Sequence, residues 1–130
     1  MQTTTTWKTG NAFTSRYNES EIEIDGDGFS PKALLLTGLA GCSGIDLVSL
    51  LEKMRVPFGS ISIVTKTEQT DEHPKVFRDI HLVYKVQTGE ENREKVKKAI
   101  DLSLEKYCGV AAMLQKNSSI NYSIELEEAP

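Results

Sequence analysis

Two residues of this 130-residue chain, Cys42 and Cys108, have a type and a setting that point to chemistry. Free cysteine is among the most buried residue types, so two thiols on apolar helices would ordinarily be packing. Their neighbours argue otherwise. Cys42 lies in Gly38-Leu39-Ala40-Gly41-Cys42-Ser43-Gly44, and each glycine inside a helix costs roughly 1 kcal/mol relative to alanine. That cost implies a compensating gain, either close approach of another backbone or room beside the sulfur, although tight helix packing alone competes with this reading. Cys108 precedes Gly109 at an expected helix break. A thiol reacts as its thiolate, and at an ordinary pKa of about 8.5 less than about a tenth is ionised at neutral pH.

Cys42 therefore needs activation. It sits about twelve residues into its helix, beyond reach of the N-terminal dipole. Asp46, four residues on, shares its face and would oppose ionisation if it acted directly. An external cation or donor is required: Arg16, on an early strand, is one candidate, with Asp46 as a supporting residue that holds such a cation. Cys108 is placed to cap the helix that starts at Gly109 and to gain thiolate stability there. Other constellations are poor. His73 and His81 with the cysteines lack the C-x-x-C or H-x-x-x-H spacing of a zinc site. Asp25-Gly26-Asp27-Gly28 reads as a turn, since the later oxygen donors of a calcium loop are missing. Neither a phosphate-cradling glycine loop nor a hydrolase nucleophile elbow is present. No metal and no cofactor is expected.

Periodicity gives the elements that carry these residues. Trp7, Phe13, Tyr17 and the alternation Ile22-Glu23-Ile24 predict a half-buried antiparallel sheet. Ser30-Pro31 is a helix start, with Ser30 as cap and Pro31 in the first turn. From there to about Arg55 the chain is apolar on nearly all sides, which predicts a helix buried against a sheet and another helix or a second subunit, stopped by Pro57 and Gly59. Ile61 and Ile63 begin a strand. After a turn at Glu72-His73-Pro74-Lys75, Ile80, Leu82, Tyr84 and Val86 form one face of the next strand, opposite His81, Val83 and Lys85. Asn92 is the expected cap of a second helix striped by Val96, Ala99, Ile100, Leu104 and Tyr107. Val110, Ala111 and Leu114 resume the pattern after the break, and Ile120, Tyr122, Ile124 and Leu126 close the chain as a strand. The order predicts a single α+β domain over residues 1–130.

Composition sets the outer bounds. The chain is 38% hydrophobic and 26% charged with a net charge of −4, which removes any global basic field for nucleic acid or an anionic membrane. The Thr-rich start has no secretory character. The apolar stretch from Leu34 to Leu51 carries Asp46 and three glycines and suits a buried helix better than a membrane span. The expected location is the cytoplasm, where thiols stay reduced.

The stretches Ser30-Pro31-Lys32-Ala33-Leu34-Leu35-Leu36, Gly41-Cys42-Ser43-Gly44-Ile45-Asp46 and Leu51-Glu52-Lys53-Met54-Arg55 resemble the central helix of the OsmC/Ohr family. Asp101 to Val110, which contains Tyr107-Cys108-Gly109, resembles its second cysteine motif. The likeness covers nearly the whole chain and is greatest to the OsmC-like branch. It implies antiparallel sheets packed around a long central helix, an intertwined homodimer with sites at the interface, and a peroxidase cycle. In that cycle Cys42 attacks an organic hydroperoxide and becomes a sulfenic acid, Cys108 resolves it to a disulfide, and an external thiol or dithiol restores both. The peroxidase members pair the first cysteine with an Arg and a Glu. The Glu position just after Pro31 is Lys32-Ala33 here, which keeps open an alternative: a protein of the same fold that binds a small hydrophobic ligand or senses redox state without turnover.

Overall fold

The computed structural model describes residues 1–128. The chain divides into two compact units, Met1–Thr37 and the part from Gly38 onward. In the first, β1 (Thr4–Thr9), β2 (Ala12–Tyr17) and β3 (Ser20–Ile24) form an antiparallel meander in the order β1-β2-β3. Its two tight turns use left-handed backbone at Gly10 (φ 53°) and Asn18 (φ 55°), glycine being free of the Cβ clash and asparagine tolerant of it. The antiparallel pairing matches expectation, but the half-burial does not. Trp7, Phe13, Tyr17 and Ile22 are all exposed, because three strands of five or six residues have no second layer of their own to bury a face against. At the end of β3, Asp25 accepts from the backbone of Asp27 through its side chain and of Gly28 through its carbonyl, which confirms the turn.

The long helix α1 spans Pro31–Lys53. Ser30 Oγ accepts from the Ala33 backbone at 3.2 Å, so the expected cap and the proline start are both in place. Its end differs from expectation. Arg55 adopts a left-handed conformation (φ 59°), Val56 N donates to Leu51 O at 2.9 Å, and Arg55 N donates to Glu52 O at 3.1 Å. This paired closure is a Schellman motif, completed before Pro57 is reached. The buried stripe is also narrower than its composition predicts: Leu39, Ser43, Leu47 and Leu51 are buried, whereas Ile45 and Val48 are exposed. By length and composition alone α1 would suffice to cross a bilayer; here that stripe joins a core shared with a sheet.

That sheet belongs to the second unit and has the order β4-β5-β6, from β4 (Ile61–Gln69), β5 (Phe77–Gln87) and β6 (Ser119–Glu127). β4 pairs antiparallel with β5, but β5 and β6 run parallel, with Leu82 opposite Tyr122 and Tyr84 opposite Ile124. The expected all-antiparallel arrangement therefore does not extend to this sheet. A parallel pair needs a crossover, and the helical segment between β5 and β6 supplies it: a short 3₁₀ turn (Glu90–Asn92), α2 (Arg93–Leu102), a π-helical turn (Ser103–Tyr107) and α3 (Gly109–Gln115). Asn92 occupies the cap position of α2 without capping it; its amide donates to Thr88 Oγ1 instead. The core gathers Leu39, Leu47 and Leu51 of α1, Ile80, Leu82, Tyr84 and Val86 of β5, and Val96, Ala99 and Ile100 of α2, all at 0% exposure. Gly44 lies close against the sheet, for a Cβ there would meet Ile63 Cδ1 at 3.3 Å. Gly38 and Gly41 face open space, so close approach explains one of the three glycines.

Candidate functional site

The crossover contains a backbone irregularity that sets the position of Cys108. Cys108 N donates to Ser103 O at 2.7 Å, five residues back, and this widened turn then gives way to extended backbone at Cys108 (φ −79°, ψ 104°). Such π-turns inside helices recur at functional sites. Cys108 becomes the N-cap of α3, and its Sγ accepts from Ala111 N at 3.3 Å. On α1, Cys42 and Asp46 lie one turn apart on one face and are half-buried. The sulfurs of Cys42 and Cys108 and a carboxylate oxygen of Asp46 all lie within 4.8 Å of one another. Both cysteines are free thiols, and a disulfide would require them to close to about 2 Å.

The two thiols are not equivalent. Burial, with the neighbouring Cys42 second, pushes the Cys108 thiol up to about 11, although the Ala111 N–H works in the opposite direction. The cap expected at Cys108 is thus real, but desolvation outweighs the help it gives the thiolate. Cys108 is 3% exposed, while Cys42 is half-buried.

Behind the cysteines runs a buried chain of hydroxyls that the sequence did not single out. Ser103 Oγ lies 2.9 Å from both Ser43 Oγ and Asp46 Oδ2, and Ser43 Oγ lies 2.6 Å from the Tyr84 hydroxyl. A hydroxyl has one proton to give and a carboxylate oxygen accepts. The proton of Ser103 therefore goes to Asp46, that of Ser43 to Ser103, and that of Tyr84 to Ser43. Burial raises the Tyr84 pKa to about 12, so its proton stays available to the chain. Tyr84 is braced edge-to-face by Tyr122, with ring centroids 5.8 Å apart, and the Tyr122 hydroxyl donates to Asp101. A signal for these residues was present: Ser43 lies in the apolar stripe of α1 and Ser103 continues that of α2 into the π-turn, where an unpaired hydroxyl would be costly.

Of the residues singled out by sequence, Cys42, Cys108 and Asp46 come together. Asp46 takes a neutral partner, Ser103, in place of the cation expected for it. Arg16 lies on β2 in the first unit, where it pairs with Glu21 of β3 across the meander. His81 is engaged by Asn121 and Ser123 of β6.

Comparison with known proteins agrees with this architecture. Protein YhfA of Escherichia coli K12 is 36% identical over 135 residues, covering 99% of this chain and 100% of that protein. A crystal structure of a hypothetical protein from Aquifex aeolicus superposes with a TM-score of 0.85 at 29% identity, covering 97% and 96% of the two chains. An organic hydroperoxide resistance protein OsmC from Legionella pneumophila shares the fold at 13% identity, with a TM-score of 0.72 over 96% of this chain and 97% of that one. Residues 24–123, which include both cysteines and every hydroxyl of the buried chain, match the model described as OsmC-like protein, and the chain belongs to that family.

Proposed function

We propose that the protein is a thiol peroxidase that reduces organic hydroperoxides. The observation that carries this reading is the approach of two free thiols, one half-buried and one buried, to within 4.8 Å across 66 residues of sequence. The Cys42 thiolate attacks the terminal oxygen of ROOH; the O–O bond breaks, the alkoxide takes a proton and leaves as ROH, and Cys42 becomes a sulfenic acid. The Cys108 thiol then displaces hydroxide from that sulfur, and its proton leaves with the hydroxide as water, giving the Cys42–Cys108 disulfide. An external thiol or dithiol reduces it by exchange. The raised pKa of Cys108 supports this order only by arguing against Cys108 as the first attacker, since a thiol held protonated at neutral pH is a poor nucleophile.

The reading includes a homodimer in the cytoplasm. The dimer, though not the location, is supported by the face of α1 opposite its buried stripe, where Gly38, Gly41, Ile45 and Val48 are exposed at helical spacing. That face flanks Cys42, so a second copy seated there would wall the site with apolar surface, favouring an organic peroxide over hydrogen peroxide. Lys32-Ala33 stands where the peroxidase branch has Glu, so thiolate support falls to groups other than a Glu–Arg pair.

Incubating the reduced protein with cumene hydroperoxide, and with hydrogen peroxide for comparison, tests the cycle. Wild type should consume peroxide and lose two hydrogens in intact mass, and Cys108→Ser should stop at a trappable sulfenic acid. Consumption by wild type no faster than by Cys42→Ser would remove the peroxidase reading and leave the ligand-binding alternative. A sulfenic acid on Cys108 in an active Cys42→Ser would reverse the two roles.

A further inference from the structure

We propose that Cys42, Asp46 and Cys108 form a binding site for one thiophilic divalent ion of the zinc class. The sequence offered no zinc motif because such motifs pair cysteines and histidines at short spacing; the ligand set here is assembled by tertiary structure. Cys42 and Asp46 sit at i and i+4 on one face of α1, the spacing by which a helix presents two ligands to one ion. Cys108 supplies the third from the crossover.

The distances are close to those a metal would impose. Tetrahedral zinc, with Zn–S of about 2.3 Å and Zn–O of about 2.0 Å, holds its sulfurs roughly 3.8 Å apart and sulfur and oxygen roughly 3.5 Å apart. The three donor atoms already lie within 4.8 Å of one another. Closing from that bound to these separations takes about 1 Å, less than the approach to about 2 Å that a disulfide demands. Two thiolates and a carboxylate select a borderline or soft ion over magnesium or calcium, which prefer all-oxygen shells.

Outer partners that orient such ligands are in place without any ion. Ser103 donates to Asp46 Oδ2, and through Ser43 and Tyr84 this donor is anchored in the core. Ala111 N–H points at Cys108 Sγ. Partners of this kind fix ligand orientation in metal sites. Three protein ligands, two of them on half-buried residues, leave a fourth position, the open arrangement in which water completes the shell.

Binding stands without the peroxidase reading, but its consequence rests on it. An ion on Cys42 masks the attacking sulfur, and oxidation expels the ion: two metal-bound thiolates, ROOH and two protons give the disulfide, ROH, water and the free divalent ion. Metal occupancy and peroxide turnover would exclude one another.

The test is anaerobic titration of the reduced full-length protein with cobalt(II) and cadmium(II), followed by displacement with zinc. Thiolate-to-metal charge-transfer absorption saturating at one ion per chain is expected, lost in Cys42→Ser and in Cys108→Ser. Asp46→Asn should weaken binding by about tenfold or more with its far-UV circular dichroism unchanged. Absence of the band, its survival at full affinity in either serine variant, or unchanged affinity in Asp46→Asn would each overturn the site. Diamide, which forms the disulfide without peroxidase chemistry, should release the zinc. A protein that binds the ion but leaves peroxide intact overturns the peroxidase reading alone; one that consumes peroxide but shows no band overturns the metal site alone.

Discussion

Ser43 shows how much one hydroxyl can decide. It is fully buried between Tyr84 and Ser103, and no buried side-chain nitrogen or oxygen among the described residues lacks a partner. Ser43→Ala would leave the Tyr84 hydroxyl without its acceptor and is expected to cost about 1–3 kcal/mol, read from urea denaturation. Adding Tyr84→Phe removes the orphaned group, so the double variant should recover part of that loss. A double variant less stable by the sum of the two singles would show that the hydroxyls do not act as a pair. Asp101 makes a separate prediction. Its carboxyl is held below the ordinary value chiefly by the Tyr122 hydroxyl; burial opposes this, and the Lys97 ammonium adds to the lowering. A folded-state pKa below the unfolded one contributes stability above the unfolded value, about 3.9, and loses it as pH falls through the folded value. The thermal midpoint of Asp101→Asn should therefore fall less steeply with acid than that of wild type. Parallel acid profiles would disconnect this carboxyl from folding.

Within the elements, conformation that local propensity disfavours occurs where helices end. Arg55 takes left-handed backbone to close the Schellman motif of α1, a conformation that costs a residue with a Cβ roughly 1–2 kcal/mol. Glycine avoids that cost but loses more entropy on folding, so Arg55→Gly should raise stability by up to about 1 kcal/mol, seen as a higher denaturation midpoint. A lower midpoint would mean that the Arg55 side chain contributes more than its backbone costs. The π-turn at Ser103–Tyr107 is the other such place. A regular helix through this segment would turn Cys108 and α3 to a different angle about the helix axis. The extra residue lets Ser103 face Asp46 while Cys108 leaves the helix to cap α3. The sequence showed a break at Cys108-Gly109 but not its form, because a widened turn has no composition signature.

For the whole molecule, the exposed face of α1 is the feature a single chain does not account for. Ile45 is 74% exposed on a helix whose opposite side is fully buried. If that face seats a second copy, Ile45→Asp should convert a dimer to a monomer in sedimentation equilibrium while leaving the far-UV spectrum intact; a wild type that sediments as a monomer would remove the dimer. How far each level was legible depends on the range of the interactions behind it. Residue order alone was enough for the succession of elements, the cap at Ser30, the two cysteines and the family resemblance, because capping and apolar periodicity are local and leave their mark within a few residues. It was not enough for the parallel pairing of β5 with β6, the narrow buried stripe of α1 and the neutral partner of Asp46, since each depends on which segment meets which. It took the tertiary structure to bring Cys108 to Cys42 and Asp46 and to set the hydroxyls of Ser43, Ser103 and Tyr84 behind them. The physical reason is that a buried polar group must find a partner wherever the fold supplies one, and in this chain the partners of Ser43 lie 41 and 60 residues away.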